Sequence, residues 1–99
     1  MNPKTDTQER WAINENLVTR SVGGQVFILL PDSTMHILEN ESAVFLYNAL
    51  RRDSETGTTI AELCEGLVAD FQVSPERASE DVGKFVRDLA ALEILDIRS

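Results

Sequence analysis

The stretch NLVTRSVGGQVFILLPDSTMHIL, residues 16–38, decides the fold, because it divides into three short strand-forming segments separated by two turn signals. Gly23-Gly24 is the first signal, since glycine adopts the positive φ angles that two-residue hairpin turns require. Pro31-Asp32-Ser33 has the composition of a second turn. The stretch therefore predicts a three-stranded antiparallel sheet, with strands over Asn16–Val22, Gln25–Leu30 and Thr34–Leu38.

Three helices are predicted after these strands, and each has a recognisable start. Asn40 is a good N-cap for the first helix, and Thr59 with Glu62 forms a capping box for the second. The third begins with Ser74-Pro75, a serine cap followed by proline at the first helical position. A small sheet needs helices to cover its apolar face. The predicted fold class is therefore α+β and winged-helix-like, a three-stranded antiparallel sheet followed by three helices.

The two ends of the chain carry weaker signals. Residues 1–15 are predicted to be a flexible N-terminal tail and residues 16–99 the folded domain, because no hydrophobic period is clear before Leu17. Trp11 lies in that tail and is expected either to pack back on the sheet or to occupy a groove of the domain. The last segment, Ile94–Ile97, is expected to be a short strand or a docked tail.

Charge and cysteine content limit the possible partners and the compartment. The formal net charge is −8, which opposes binding to nucleic acid and to anionic membranes. Cys64 is the only cysteine, so an internal disulfide is impossible and a reducing, cytoplasmic location is expected. The polar start of the chain does not have the composition of a signal peptide, and no membrane-spanning segment is predicted.

The residue types that catalysis usually needs are scarce. His36 is the only histidine, and Cys64 lies within an apolar helical stripe, where it is expected to act as a small buried hydrophobic residue. The sequence has no metal-ligand spacing and no glycine-rich nucleotide motif. We therefore predict no catalytic residue, no metal, no cofactor and no enzymatic activity.

Recognition of another chain is the function that remains. The predicted third strand, Thr34–Leu38, is a candidate edge strand with neither proline nor charge in its interior. Such an edge offers unpaired backbone groups to which a peptide can add as one more strand. The alternative, equally open from sequence, is that a loop or the Trp11 segment covers this edge.

Three segments resemble the PqqD-like family, the recognition elements for precursors of ribosomally synthesised and post-translationally modified peptides (RiPPs). They are the hairpin Val18–Leu30 with its two glycines, the helix start Asn40-Glu41-Ser42-Ala43 leading to Leu50, and the run from Thr59 to Leu92. The resemblance extends from about Leu17 to Leu95. The family usually has leucine directly before the helix-opening asparagine, whereas this chain has Glu39, which leaves the register of the third strand open.

The resemblance implies a non-catalytic domain that binds the leader region of a precursor peptide and presents it to a modifying enzyme, often a radical SAM maturase. The leader would lie antiparallel to the third strand, beside the third helix. The implied strand ladder is Thr34, Met35, His36, Ile37 and Leu38, and the implied groove side of the helix is Asp81, Lys84, Phe85 and Asp88. Lys84 would pair with leader acids, and the two aspartates with leader bases. An ordinary solvated face, with Lys84 paired to Glu80 one turn away, is the alternative.

Two other functions compete with peptide recognition. A winged-helix DNA-binding regulator would have a similar architecture, but the acidic third helix would repel phosphates. A small subunit that only stabilises a larger enzyme is the third possibility. Val44 and Phe45 lie beside the core stripe of the first helix, where they form an interface pair or simply widen the stripe. The chain is expected to be a monomer or a weak homodimer.

Overall fold

A computed structural model describes residues 9–98 and has the predicted α+β architecture, with three helices and two small antiparallel sheets. The strands are β1 Arg10–Ile13, β2 Val18–Val22, β3 Gln25–Leu29, β4 Met35–Leu38, β5 Thr58–Thr59 and β6 Leu95–Arg98. The helices are α1 Glu41–Arg52, α2 Ile60–Phe71 and α3 Pro75–Ala91.

The first sheet, which we call the wing sheet, contains the three predicted strands in the order β2-β3-β4. Gly23 and Gly24 join β2 to β3 with φ angles of 57° and 82°, the left-handed values that a two-residue hairpin turn requires. β3 then pairs antiparallel with β4, placing Val26 opposite Leu38. This pairing fixes the register that Glu39 left open in the sequence.

The second sheet, which we call the base sheet, has the order β5-β1-β6 and was not predicted. β1 pairs antiparallel with β6 from Arg10 opposite Arg98 to Ile13 opposite Leu95. The prediction of a flexible tail over residues 1–15 is therefore wrong for β1, in which Ala12 and Ile13 are buried. Residues 1–8 of that predicted tail lie outside the described residues. The C-terminal segment, for which two possibilities were open, is strand β6.

The three predicted helix starts are confirmed by their capping hydrogen bonds. Asn40 Oδ1 accepts from the Ser42 amide at 2.8 Å. Thr59 and Glu62 bond reciprocally at 3.1 Å in each direction, which completes the capping box. Ser74 Oγ accepts from the backbone amide three residues later, also at 3.1 Å. Each such cap stabilises the folded chain by about 1 kcal/mol, so local sequence sets where the helices begin.

The core lies between the two sheets and the helices. The inner face of the wing sheet contributes Val26, Ile28 and Leu38, all buried. The helices contribute apolar residues at the predicted spacing, namely Leu46, Tyr47, Leu50, Leu63, Leu67, Ala78, Val82, Val86 and Leu89. This arrangement leaves the other face of the wing sheet and the outer edge of β4 at the surface.

Two sequence-level questions about side chains are answered by this packing. Phe45 meets the Phe71 ring edge to face, with the ring centroids 5.4 Å apart, and it packs with Val44 partly against the core, as a wide helical stripe would. Cys64 is half-buried rather than fully buried. Burial raises the pKa of its thiol, and the charge of Glu65 adds to that effect, which favours the protonated form.

Candidate peptide-binding site

The outer edge of β4 is unpaired within the described residues. β4 hydrogen-bonds to β3 on one side, and no strand within residues 9–98 lies on its other side. The Trp11 segment does not cover this edge, because β1 is paired on both sides by β5 and β6. In an antiparallel pair, alternate residues direct their N–H and C=O groups away from the partner strand. β4 therefore presents backbone donors and acceptors that another chain can bind.

The side chains of β4 alternate between two faces, as predicted. His36 and Leu38 point toward the helices, where Leu38 is buried and His36 is half-buried. Met35 and Ile37 point to the opposite side, with exposed fractions of 52% and 42%. A peptide added beside β4 would alternate in the same way, so that every second side chain faces the helices.

Thr34 lies outside the strand, although it was predicted to be part of the ladder. Its amide and its hydroxyl both donate to Asp32 Oδ1, at 3.1 and 2.6 Å, and its carbonyl accepts from the Leu30 amide at 2.8 Å. These hydrogen bonds lower the pKa of Asp32, that from the Thr34 side chain most. Because both backbone groups of Thr34 already have partners, the open ladder consists of Met35–Leu38.

The four predicted residues of α3 form one stripe along the helix. Asp81, Lys84, Phe85 and Asp88 follow the spacing of three or four residues that aligns side chains on one helical face. Phe85 is half-buried and packs against the core, and the other three are exposed. The stripe therefore has an apolar centre with charged groups on either side.

Each charged residue of this stripe already has a partner on the same helix. Lys84 Nζ lies 2.7 Å from Asp88 Oδ2, and Arg77 Nε lies 3.3 Å from Asp81 Oδ2. The predicted pairing of Lys84 with Glu80 is wrong. Lys84 has an acidic neighbour one turn away in both directions, Glu80 and Asp88, and the spacing alone does not predict which of them it pairs with.

β4 and α3 contribute to one hydrophobic core, β4 through Leu38 and α3 through Val82, Val86 and Leu89. The hydrogen bond from Lys84 is the main cause that lowers the pKa of Asp88, with smaller contributions from the charges of Lys84, Arg87 and His36. A groove between the strand edge and the helix stripe stays a prediction.

Other kinds of site find no support in the described part of the chain. Residues 9–98 contain no cluster of three or more histidine, cysteine or carboxylate side chains that could hold a metal ion. Within the same range, no helix has the length and hydrophobicity needed to cross a membrane.

Sequence comparison agrees with the open-edged fold. The family model described as "Coenzyme PQQ synthesis protein D (PqqD)" matches residues 25–95, from the start of β3 to the start of β6. The chain belongs to the PqqD family. The matched region of this PqqD family member contains β4 and α3, and therefore all of the predicted site residues. Comparison with curated protein sequences gives no significant match.

Structural comparison supports the same fold. The structure described as "TbiB1 in Complex with the TbiA(beta) Leader Peptide" superimposes with a TM-score of 0.72 at 23% sequence identity. The aligned region covers 86% of this chain and 94% of that chain. The fold of this PqqD family member is thus shared over nearly its whole described length.

Proposed function

We propose that this chain is a non-catalytic peptide-binding module of RiPP maturation. It captures the leader region of a precursor peptide as an added strand on β4 and presents that peptide to a modifying enzyme, such as a radical SAM maturase. The unpaired edge of β4 is the observation that carries the proposal. TbiB1, which has the same fold, is in complex with a leader peptide. The module acts in the cytoplasm, where precursor peptides are translated.

The backbone of β4 supplies the first part of the affinity. In a four-residue antiparallel edge, two residues direct both backbone groups outward, which allows four hydrogen bonds. At roughly 0.5–1.5 kcal/mol each, these bonds contribute about 2–6 kcal/mol. Association with a peptide has an entropic cost of about 4 kcal/mol or more. The two figures are of similar size, so backbone pairing alone gives only weak binding and side-chain contacts are needed for affinity.

The groove between β4 and α3 supplies those contacts. Leader side chains that face the helices would lie against Phe85, the half-buried apolar centre of the α3 stripe, and against His36. Burying one large apolar side chain there would add about 1.5–3 kcal/mol. We infer that a hydrophobic leader residue at this position provides most of the selectivity.

The charges on either side of Phe85 have a smaller role. Lys84 would contact leader acids, and Asp81 and Asp88 would contact leader bases, in exchange for their present partners. Exchanging one exposed ion pair for another yields little net free energy, because water and salt screen both pairs. These residues would therefore adjust association rate and register more than affinity.

The two competing functions receive less support. A DNA-binding wing or helix would need a basic surface, whereas the chain has a formal net charge of −8 and α3 includes Glu76, Glu80, Asp81 and Asp88. A subunit that only stabilised an enzyme would have no use for an open strand edge beside a groove.

An NMR titration tests the proposal. The probes are synthetic peptides made from short reading frames that neighbour the gene of this chain. We expect the amide signals of Met35–Leu38 and of the α3 stripe to shift with a single affinity. The base sheet serves as the internal control, since its signals should stay in place. Shifts confined to the base sheet, or no shifts at all, would contradict strand addition on β4.

A further inference from the structure

The outer face of the wing sheet is apolar and exposed. We use this name for the eight side chains that point away from the helices, namely Val18, Arg20, Val22, Gln25, Phe27, Leu29, Met35 and Ile37. The exposed large hydrophobic residues of the described chain number seven, and five of them lie on this face, with exposed fractions from 38% to 66%. Exposed apolar side chains grouped on one face are a feature of interaction surfaces.

The charge on the outer face differs from that of the rest of the chain. The chain has 17 aspartate and glutamate residues, yet none of them is among the eight residues of this face. Arg20 is the only charged member, and it lies opposite Phe27 with Val18 and Val22 on either side of it. A matching surface should therefore be apolar and should carry one carboxylate to pair with Arg20.

A second copy of this chain does not provide that matching surface. In a two-fold dimer the same patch faces itself, so each Arg20 would meet a face without any acid. Burying an arginine without a partner is strongly unfavourable. The observed charge therefore favours a different protein as the occupant.

The position of the proposed leader indicates which protein would bind the outer face. A strand added to β4 would place alternate leader side chains on the outer face, next to Met35 and Ile37. With strands about 4.8 Å apart and five residues of about 3.4 Å each, the three-stranded face covers only roughly 250 Å². A stable interface buries about 800 Å² on each partner. The face alone is too small for tight binding, and the leader strand enlarges it.

We propose that the outer face is the docking surface of the enzyme that modifies the bound peptide. This inference rests on the proposed function. The enzyme presents an apolar patch with a carboxylate opposite Arg20, and it contacts the outward side chains of the leader at the same time. The enzyme consequently binds more tightly when the leader is bound, so it associates mainly with those copies of the module that already hold a leader.

The test uses the full chain, a leader peptide that binds it in the NMR titration, and the enzyme that modifies the corresponding precursor. Leader affinity and enzyme affinity are measured separately by calorimetry for the wild type, Val22→Asp and Arg20→Glu. Ile97→Asp is the matched control, because Ile97 is 50% exposed and Val22 is 53% exposed, and Ile97 lies on the base sheet. We expect both outer-face variants to weaken enzyme binding at least tenfold, with leader affinity within twofold of the wild type. The control should change neither affinity.

The leader dependence gives a second readout. Enzyme binding to the wild type should be at least tenfold tighter with saturating leader than without it. Unchanged enzyme affinity in Val22→Asp, with leader binding intact, would overturn the docking surface while leaving peptide recognition in place. Absence of leader binding in the wild type would instead overturn the proposed function. A dimer of the free chain that Val22→Asp dissociates would assign the outer face to a second copy and overturn the inference.

Discussion

At the scale of single residues, the ion pair between Lys84 and Asp88 is what an incoming peptide would meet on α3. The pair lies one helical turn apart on the stripe that also contains Phe85, and both side chains are exposed. Its effect on Asp88 can be measured without any ligand. Titration of Asp88 therefore checks the ion pair on α3 directly.

Lys84→Ala should raise the pKa of Asp88 toward its ordinary value of 3.8, because the hydrogen bond from Lys84 is the main cause that lowers it. A lowered carboxyl pKa stabilises the fold above the unfolded pKa, and that stability is lost as pH falls through the folded pKa. The variant should therefore be slightly less stable at pH 7 and equal to the wild type in strong acid. NMR titration of the Asp88 carboxyl measures the shift.

Arg77→Ala is the matched control for this measurement. It removes the neighbouring pair with Asp81 and should leave the titration of Asp88 unchanged. If Asp88 titrates identically in Lys84→Ala and in the wild type, the pairing described for α3 is wrong. Leader affinity of Lys84→Ala should fall only a few-fold, and the fall should be larger at low salt, where screening is weaker.

At the scale of elements, β4 has one edge bonded to β3 and one edge open. Neighbouring residues in an antiparallel strand send their N–H groups to opposite edges. His36→Pro and Ile37→Pro therefore remove donors from different sides of β4. One variant should lose roughly 1–3 kcal/mol of stability through the broken ladder with β3. The other should have a melting temperature close to that of the wild type but bind leader at least tenfold more weakly.

Each proline variant serves as the control of the other, and the two readouts are thermal unfolding and leader affinity. Strand addition would be disproved by a variant that keeps the wild-type melting temperature together with wild-type leader affinity. Two equally destabilised variants would show that the outer edge of β4 also has an internal partner.

The elements also show what sequence can predict. The wing sheet and the helix starts were predicted because their signals are local, such as the paired glycines of the hairpin and the capping box at Thr59. The base sheet was missed because β5 has two residues and β1 pairs with β6, more than 80 positions away. The sequence did not decide whether the outer edge of β4 is covered, because that depends on where β1 lies in the fold. The role of Thr34 was missed because its partners belong to the turn rather than to the strand.

At the scale of the whole molecule, the base sheet joins distant parts of the chain. β1, β5 and β6 come from the start, the middle and the end of the described residues. Gly57 precedes β5 with a φ of 82°, and a Cβ atom there would lie 2.7 Å from Arg10 Cβ and 3.1 Å from the Arg10 carbonyl carbon. The three strands therefore meet at a point where no side chain fits.

Gly57→Ala should destabilise the chain more than Gly24→Ala. Both glycines have a φ of 82°, so the backbone strain of alanine is matched, but a Cβ at Gly24 meets no atom within 4 Å. Overpacking against β1 should add about 1–3 kcal/mol to the loss of unfolding free energy. Urea denaturation measures both variants. Equal losses would mean that β1 moves aside freely, and folded Gly57→Ala should still bind leader because the wing sheet is separate.

The turn at Thr34 has a consequence for how β4 would recognise a guest peptide, meaning a leader added as a strand. A guest extending along β4 reaches a residue whose amide and carbonyl are already engaged by Asp32 and Leu30. The paired segment therefore ends at Met35, and no more than the four residues of β4 take part in the pairing. Its recognition motif should be short. The number of residues between that motif and the site of modification then becomes a constant that selects which positions an enzyme can reach.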